Sequence, residues 1–381
     1  MVYINIVMKV IGVLRETFPG EKRVSLTPHD AGVLRKHGFE VLVERGAGEM
    51  AGFADEEYEK EGARVLEKGE VAGSSEIILN VRAGGANPEK WREQLSVLQE
   101  NQVLIGFLDP LWRPDLVLPL AEKGIISFAL ELIPRITKAQ SMDALTSMGL
   151  IAGYRAVMLA ATFLSRLFPM MITAGGTIAP AKVFVIGAGV AGLEAMGISK
   201  RLGAVVTGYD IRASAKEEVE SVGAKFLDVH SIKNGDGTVQ DFLKMEREAI
   251  ARQVKESDVI ITTALIPSKR APVIITEEMV ETMKSGSVII DLAAERGGNC
   301  EVTVPGAVIS KNGVTVAGPV NIASDVPYHA SQMLSRNLTN LLLHMHDERG
   351  EIKWDDEIVR EMLLTKNGEL VNKKIKNLLG G

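Results

Sequence analysis

At 381 residues the chain exceeds the roughly 250 to 300 residues over which a single core grows, so two domains are expected. A hydrophobic content of 46% with 24% charged residues excludes a disordered chain, and 37 glycines fit the tight turns of α/β folds. The net charge of -6 and pI near 5.7, without a Lys/Arg cluster, exclude a nucleic-acid surface. Cys300, the single cysteine, excludes an internal disulfide framework and fits a reducing, cytoplasmic compartment.

In chain order, MVYINIVMKVIG is too short and too quickly charged for a secretory signal; it reads as a first strand behind a few extra residues, with Met1 or Met8 as the start. KVIGVL, EVLVE, EIILNV, QVLIGFL and IISFAL then alternate with the helical patterns TPHDAGVLRKHG, PEKWREQLSVLQ and RPDLVLPLAEKG, predicting βαβ units and a parallel sheet covered on both faces. A weakly charged helix is expected from about Met142 to about Phe168. The apolar stretch Ala144 to Gly175 is broken by Arg155 and Arg166, so no membrane-spanning run of about 18 residues is expected. Within it, MLAATFLSRLFPMM reads as core or dimer surface.

The grammar repeats in KVFVIG, VAGLEAMGISKRLG, AVVTGYD, ASAKEEVESVG, AKFL, DVIITTAL, TEEMVETMKSG, SVIIDLA and VTVAG, a second parallel sheet. The polar segment Asp228 to Asp241 interrupts it and reads as a surface loop or a lid. A helix over Tyr328 to His346 follows, then a hairpin across Asn367-Gly368, and NKKIKNLLGG reads as a solvated tail. The prediction is an α/β fold of two Rossmann-like, doubly wound parallel-sheet domains, the second inserted into the first. Residues 1–142 with 333–381 form one domain and 143–332 the other, joined by long helices, with a ligand in the cleft between.

Gly187, Gly189 and Gly192, with Ala188 and Val190 between them, stand in GxGxxG spacing after the strand Val183 to Ile186 and at the start of a helix. Gly187 permits the turn, Gly189 lets backbone approach a pyrophosphate, and Gly192 lets helix and strand pack closely. The next strand ends in Asp210, 18 residues beyond Gly192, where an acid binds ribose hydroxyls and repels a 2′-phosphate. The pattern therefore predicts NAD(H); the bland alternative is a glycine-rich turn with Asp210 as a helix cap. Ile211 and Arg212 follow, and Arg212 would pack over adenine or lie in solvent. Thr262, Thr263, Ala264 and Leu265 end another strand, where Thr263, Ala264 and Leu265 would border the adenosine half or form an ordinary turn.

PRITKAQSMDALTS, Pro134 to Ser147, is dense in polar groups yet has no His or Cys and one carboxylate, Asp143. Ser141 or Asp143 could simply cap the following helix. Together with RVSLTPHDAGVLRKHGFEVLVERGAG, GAGVAG, TTALIP and IIDLAAERGGNC, this segment resembles a superfamily that holds alanine dehydrogenase and the NAD(H)-binding component of proton-translocating nicotinamide nucleotide transhydrogenase. Arg23 matches the residue that holds the substrate carboxylate in alanine dehydrogenase. That family's Lys and His motifs read NVRAGG and GFLDPL here, with Arg82 and Asp109 in their places, and neither substitutes for a tuned Lys or an imidazole.

The transhydrogenase component is the better match in PRITKAQSMD. Its resemblance implies Arg135, Gln140 and Asp143 around the nicotinamide end of NAD(H), with Ser141 and Thr146 beside them. It also implies hydride transfer to NADP(H) on a partner subunit, coupled to proton movement in a membrane-embedded subunit, by a homodimeric protein held at the inner membrane through its partners. Two features depart from the family or narrow it: Asp228 to Asp241 lacks the Tyr that often closes the family's mobile loop, and without a transmembrane helix the chain resembles the stand-alone subunit of a split enzyme. An amino-acid dehydrogenase of the alanine or saccharopine type, and a non-catalytic NAD-responsive binding protein, are the alternatives. No histidine spacing suggests a metal, and Cys300 reads as a buried thiol.

Overall fold

The computed structural model describes residues 9–229 and 239–380; the choice between Met1 and Met8 and the middle of the segment Asp228 to Asp241 lie outside them. In chain order the strands are β1 Val10–Val13, β2 Glu40–Glu44, β3 Arg64–Leu66, β4 Ile77–Arg82, β5 Val103–Phe107, β6 Ile126–Ala129, β7 Met171–Thr173 and β8 Gly176–Ile178. They continue as β9 Lys182–Ile186, β10 Val205–Tyr209, β11 Lys225–Phe226, β12 Val259–Thr262, β13 Val288–Asp291, β14 Val308–Lys311, β15 Val314–Ala317, β16 Leu363–Lys366 and β17 Glu369–Leu370. One sheet runs β17-β16-β6-β5-β4-β1-β2-β3 and another β11-β10-β9-β12-β13-β15-β14. The chain divides into two compact units, Met1–Met148 with Ala323–Gly381, and Gly149–Ile322.

Each sheet is the α/β, Rossmann-like type that its apolar runs predict. In β9, Val183 and Val185 enter one core cluster while Phe184 and Ile186 enter another, so both faces are covered. Burial of each such side chain contributes about 1.5–3 kcal/mol, which is why the central strands tolerate no alternation with polar residues. In both sheets the order reverses beside the first strand, at β1/β4 and at β9/β12, which is where ligands bind in open α/β sheets.

The sheets are parallel apart from their edges. β16 and β17 pair antiparallel across Asn367 and Gly368, both at positive φ, as the hairpin reading expects. β14 is also antiparallel to β15, a strand the sequence reading missed although Asn312-Gly313 carries the same turn signal. The solvated tail is corrected too: Lys373–Leu379 is a helix whose N-cap Asn372 accepts from the Lys374 and Ile375 amides, with Ile375 buried.

The helix Ala144–Phe163 starts in the first unit and ends in the second, five residues short of the expected Phe168. By length and composition it could cross a membrane. Its Ala156, Val157 and Ala160 are buried in the core of the second unit, which is the environment of a core helix. After it, β7 and β8 form a separate two-stranded sheet whose residues are all exposed.

Candidate functional site

In the second unit, the turn after β9 is built for close approach. Gly187 has φ +101, and a Cβ there would stand 2.4 Å from Thr263 Oγ1; a Cβ on Gly192 would stand 1.8 Å from the Gly187 carbonyl oxygen. Both glycines are therefore required by the protein's own packing. Gly189 differs: a Cβ there meets nothing within 4 Å, although Gly189 is the N-cap of the helix Val190–Arg201. That open space over a helix N-terminus is the cradle a pyrophosphate needs.

Asp210, at the end of β10, is buried and accepts from the Ala188 amide at 2.8 Å and the Arg212 amide at 2.9 Å. Arg212 neither stacks nor floats free, contrary to expectation; its Nε donates to Asp210 Oδ1 at 3.0 Å. Burial raises the pKa of the Asp210 carboxyl, but the Arg212 and Ala188 hydrogen bonds outweigh it and leave the pKa below the ordinary value. Ile211 is 69% exposed and Leu265 54%, and both flank the glycine turn from the neighbouring strands β10 and β12. Exposed apolar side chains there suit the faces of an adenine ring.

Thr262 points away, donating to Asp291 Oδ1, while Thr263 Oγ1 donates to the Ile186 and Gly187 carbonyls at 3.3 Å. The loop after β12 is held by a residue to which the sequence reading gave no role. Asn299 accepts from the Ala264 amide at 2.9 Å and donates to the Ala264 and Pro272 carbonyls at 2.8 Å. Asp291 in turn accepts from Thr262, Ala293, Asn299, Cys300 and Thr303, which makes it the hub of the IIDLAAERGGNC motif. Cys300 is buried, and burial pushes its thiol up to about 11.

In the first unit, Thr137–Met142 is a 3-10 turn and Asp143 caps the helix Ala144–Phe163, accepting from the Thr146 amide at 3.0 Å and the Thr146 hydroxyl at 2.6 Å. Asp143 thus pairs with Thr146, and among the described residues it makes no ion pair with Arg135. Arg135, Gln140 and Ser141 are exposed. The Ser141 carbonyl accepts from Asn337 Nδ2 and Asn340 Nδ2, each at 3.0 Å.

Arg23 is buried and held by Glu21 through two hydrogen bonds of 2.7 and 2.6 Å, with Met148 Sδ at 3.1 Å. The Arg82 guanidinium lies 3.9 Å over the Phe18 ring and its Nε donates to the Ala86 carbonyl. Asp109 sits at φ +51, its amide donating to Glu131. At the β1/β4 reversal, Glu16 accepts from the Val81 and Arg82 amides and Asn80 Nδ2, and burial with the neighbouring Glu21 pushes its carboxyl up to about 7. Among the described residues, no group of three His, Cys, Asp or Glu side chains could hold a metal ion.

Two family descriptions match the chain: Alanine dehydrogenase/PNT, N-terminal domain, over residues 12–152, and Alanine dehydrogenase/PNT, C-terminal domain, over residues 156–373. The chain is similar to the first of the two pieces of the NAD(P) transhydrogenase alpha subunit of Rickettsia prowazekii, 40% identical over 373 residues that cover 96% of each chain. Its fold is similar to the crystal structure of transhydrogenase from Sinorhizobium meliloti, with a TM-score of 0.87 and 40% identity, covering 95% of this chain and 100% of that one. Similarity to alanine dehydrogenase of Bacillus subtilis is lower, 30% over 383 residues that cover 97% of this chain and 95% of the relative.

Proposed function

The chain belongs to the alanine dehydrogenase/PNT family, and we propose that it is the NAD(H)-binding subunit of a Re/Si-specific, proton-translocating NAD(P) transhydrogenase. NADP(H) is bound by a partner subunit, and a membrane-embedded subunit carries the protons and tethers this chain at the cytoplasmic face of the inner membrane. The observation that carries this reading is the pairing of an open dinucleotide cradle with a polar loop that offers no His or Cys and commits its one acid to capping.

When bound, NAD(H) supplies or accepts hydride at its nicotinamide ring, and no proton need be added to or taken from a substrate. The work left to the chain is positional, holding a reacting atom in near-attack geometry. Gly187, Ala188, Gly189, Val190 and Gly192 bind the pyrophosphate, and Asp210 accepts from ribose hydroxyls and disfavours a 2′-phosphate. Ile211, Arg212, Thr263, Ala264 and Leu265 line the adenosine. At the nicotinamide end Gln140 has both a donor and an acceptor for a carboxamide, Arg135 offers a cation to phosphate or ribose, and Ser141, Asp143 and Thr146 complete the polar wall.

The chain works as a homodimer. β7 and β8 form an isolated hairpin, marginal in water on its own, and carry Ile172 at 74% exposure beside Met171 and Ile178. A second copy covering this surface removes that liability.

The test mixes the purified chain with the NADP(H)-binding component of a transhydrogenase and follows hydride transfer from NADH to an NADP analogue. Transfer is expected. Absence of transfer, with alanine-dependent reduction of NAD by the chain alone, would replace this reading with an amino-acid dehydrogenase.

A further inference from the structure

The Pro327–Met345 helix places Asn337, Asn340 and His344 at spacings of three and four, on one face. The two asparagine amides converge on a single acceptor, the carbonyl of Ser141, and each must present its nitrogen there because two oxygens cannot pair. His344 Nε2 bonds Asp356 Oδ1 at 2.9 Å, and Lys138 Nζ stands 3.4 Å from Asp356 Oδ2, so the same face has a second hold on the turn. That second hold is the weaker one, since the Lys138 side chain is 65% exposed and surface ion pairs contribute little.

Asn337 is buried, and its Oδ1 has no hydrogen-bond partner among the described residues. An orphaned buried oxygen opposes folding, so an apolar residue of similar size would serve stability better. A residue retained in that condition has a use other than stability, and the one partner its amide has chosen lies between Gln140 and Asp143. Asp143 is fixed on its own account by Thr146. Fixing the Ser141 carbonyl therefore leaves the main chain at Gln140 little freedom, while the Gln140 side chain faces outward.

We propose that Asn337 and Asn340 are positioning residues, which clamp the Ser141 carbonyl and thereby hold Gln140 in the orientation that hydride transfer requires. The proposal rests on the transhydrogenase reading for its functional consequence and on the hydrogen bonds alone for the clamp.

The experiment compares wild type with Asn337→Ala, Asn340→Ala, the double alanine variant, Asn340→Asp, which removes the donor without changing size, and Asn340→Gln, which keeps it. Transfer at saturating NADH and saturating partner should fall at least tenfold in the double variant, with NADH affinity within about threefold of wild type. Asn340→Asp should match Asn340→Ala, Asn340→Gln should recover most of the rate, and the melting temperature of Asn337→Ala should hold or rise. Amide hydrogen exchange over residues 137–143 should quicken in the double variant while the sheet of the first unit is unchanged. Unaltered exchange overturns the clamp, even if wild type transfers no hydride and the functional reading itself fails. Faster exchange with transfer within twofold of wild type overturns the positioning role, and so does a loss of transfer matched by equal losses of NADH affinity and melting temperature.

Discussion

Replacing Gly189 with Ala separates a glycine kept for a ligand from one kept for the fold. At φ -80 and ψ -176 the backbone of residue 189 is extended and open to any side chain, and the new methyl meets no protein atom within 4 Å. The folding penalty is then confined to the N-cap preference, about 1 kcal/mol or less. A pyrophosphate laid against the main chain has no room for that methyl, and forced overpacking of this kind costs about 1–3 kcal/mol. At 1.4 kcal/mol per decade NADH affinity should fall by about 5- to 150-fold, with the melting temperature almost unmoved. Gly192→Ala is the control: its methyl would lie 1.8 Å from the Gly187 carbonyl oxygen, so the turn must break and stability should fall together with binding. Fluorescence titration with NADH beside thermal denaturation reads both. Wild-type affinity in Gly189→Ala would refute the placement of the pyrophosphate.

Asp210→Ser should weaken NADH binding by about 10- to 150-fold, the worth of lost hydrogen bonds to a charged group, and the released Arg212 should strengthen NADPH binding. Parallel titrations that show NADH affinity unchanged would remove Asp210 from the ribose site. Gln140→Asn should slow hydride transfer far more than it weakens NADH binding, and equal losses in single-turnover and binding measurements would make Gln140 an affinity contact only. In Asp356 burial raises the carboxyl, but bonds from His344, Val359 and Ile358 prevail and hold it down to about 2, against 3.8 in the unfolded chain. Its stabilisation, about 2 kcal/mol, is present above about pH 4 and lost as pH falls through 2. Asp356→Asn should therefore trail wild type by a constant margin at pH 5–7 that narrows below pH 4 in urea unfolding; a margin unchanged at pH 3 contradicts the pairing. Ile172→Glu should yield monomers by sedimentation, and an intact dimer would assign the hairpin another role.

What was legible in the sequence is what short-range chemistry writes. Val183 to Ile186 had to be a doubly buried strand because no residue in it tolerates water, and Gly187 and Gly192 announce a turn that no other residue fits. Asp143 as a cap was visible from its place before an apolar helix. The supports were hidden because they bridge long separations: Asn337 and Asn340 reach Ser141 across 196 and 199 residues, and Asn299 reaches Ala264 across 35. Nothing in the residues around an asparagine shows which distant carbonyl it will meet. The Arg212 error has the opposite cause. Asp210 lies two residues away, and a short-range pair won over either longer reach.

The fate of Glu16 bears on stoichiometry. Both units present a strand-order reversal of the kind that attracts nucleotides, yet in the first unit the amides of Val81 and Arg82 are already spent on a carboxylate from the same chain. A dinucleotide arriving there would have to evict a covalently attached competitor whose local concentration no solute can match. Each protomer should accordingly saturate with one NAD(H), although its architecture repeats the fold that could have held two.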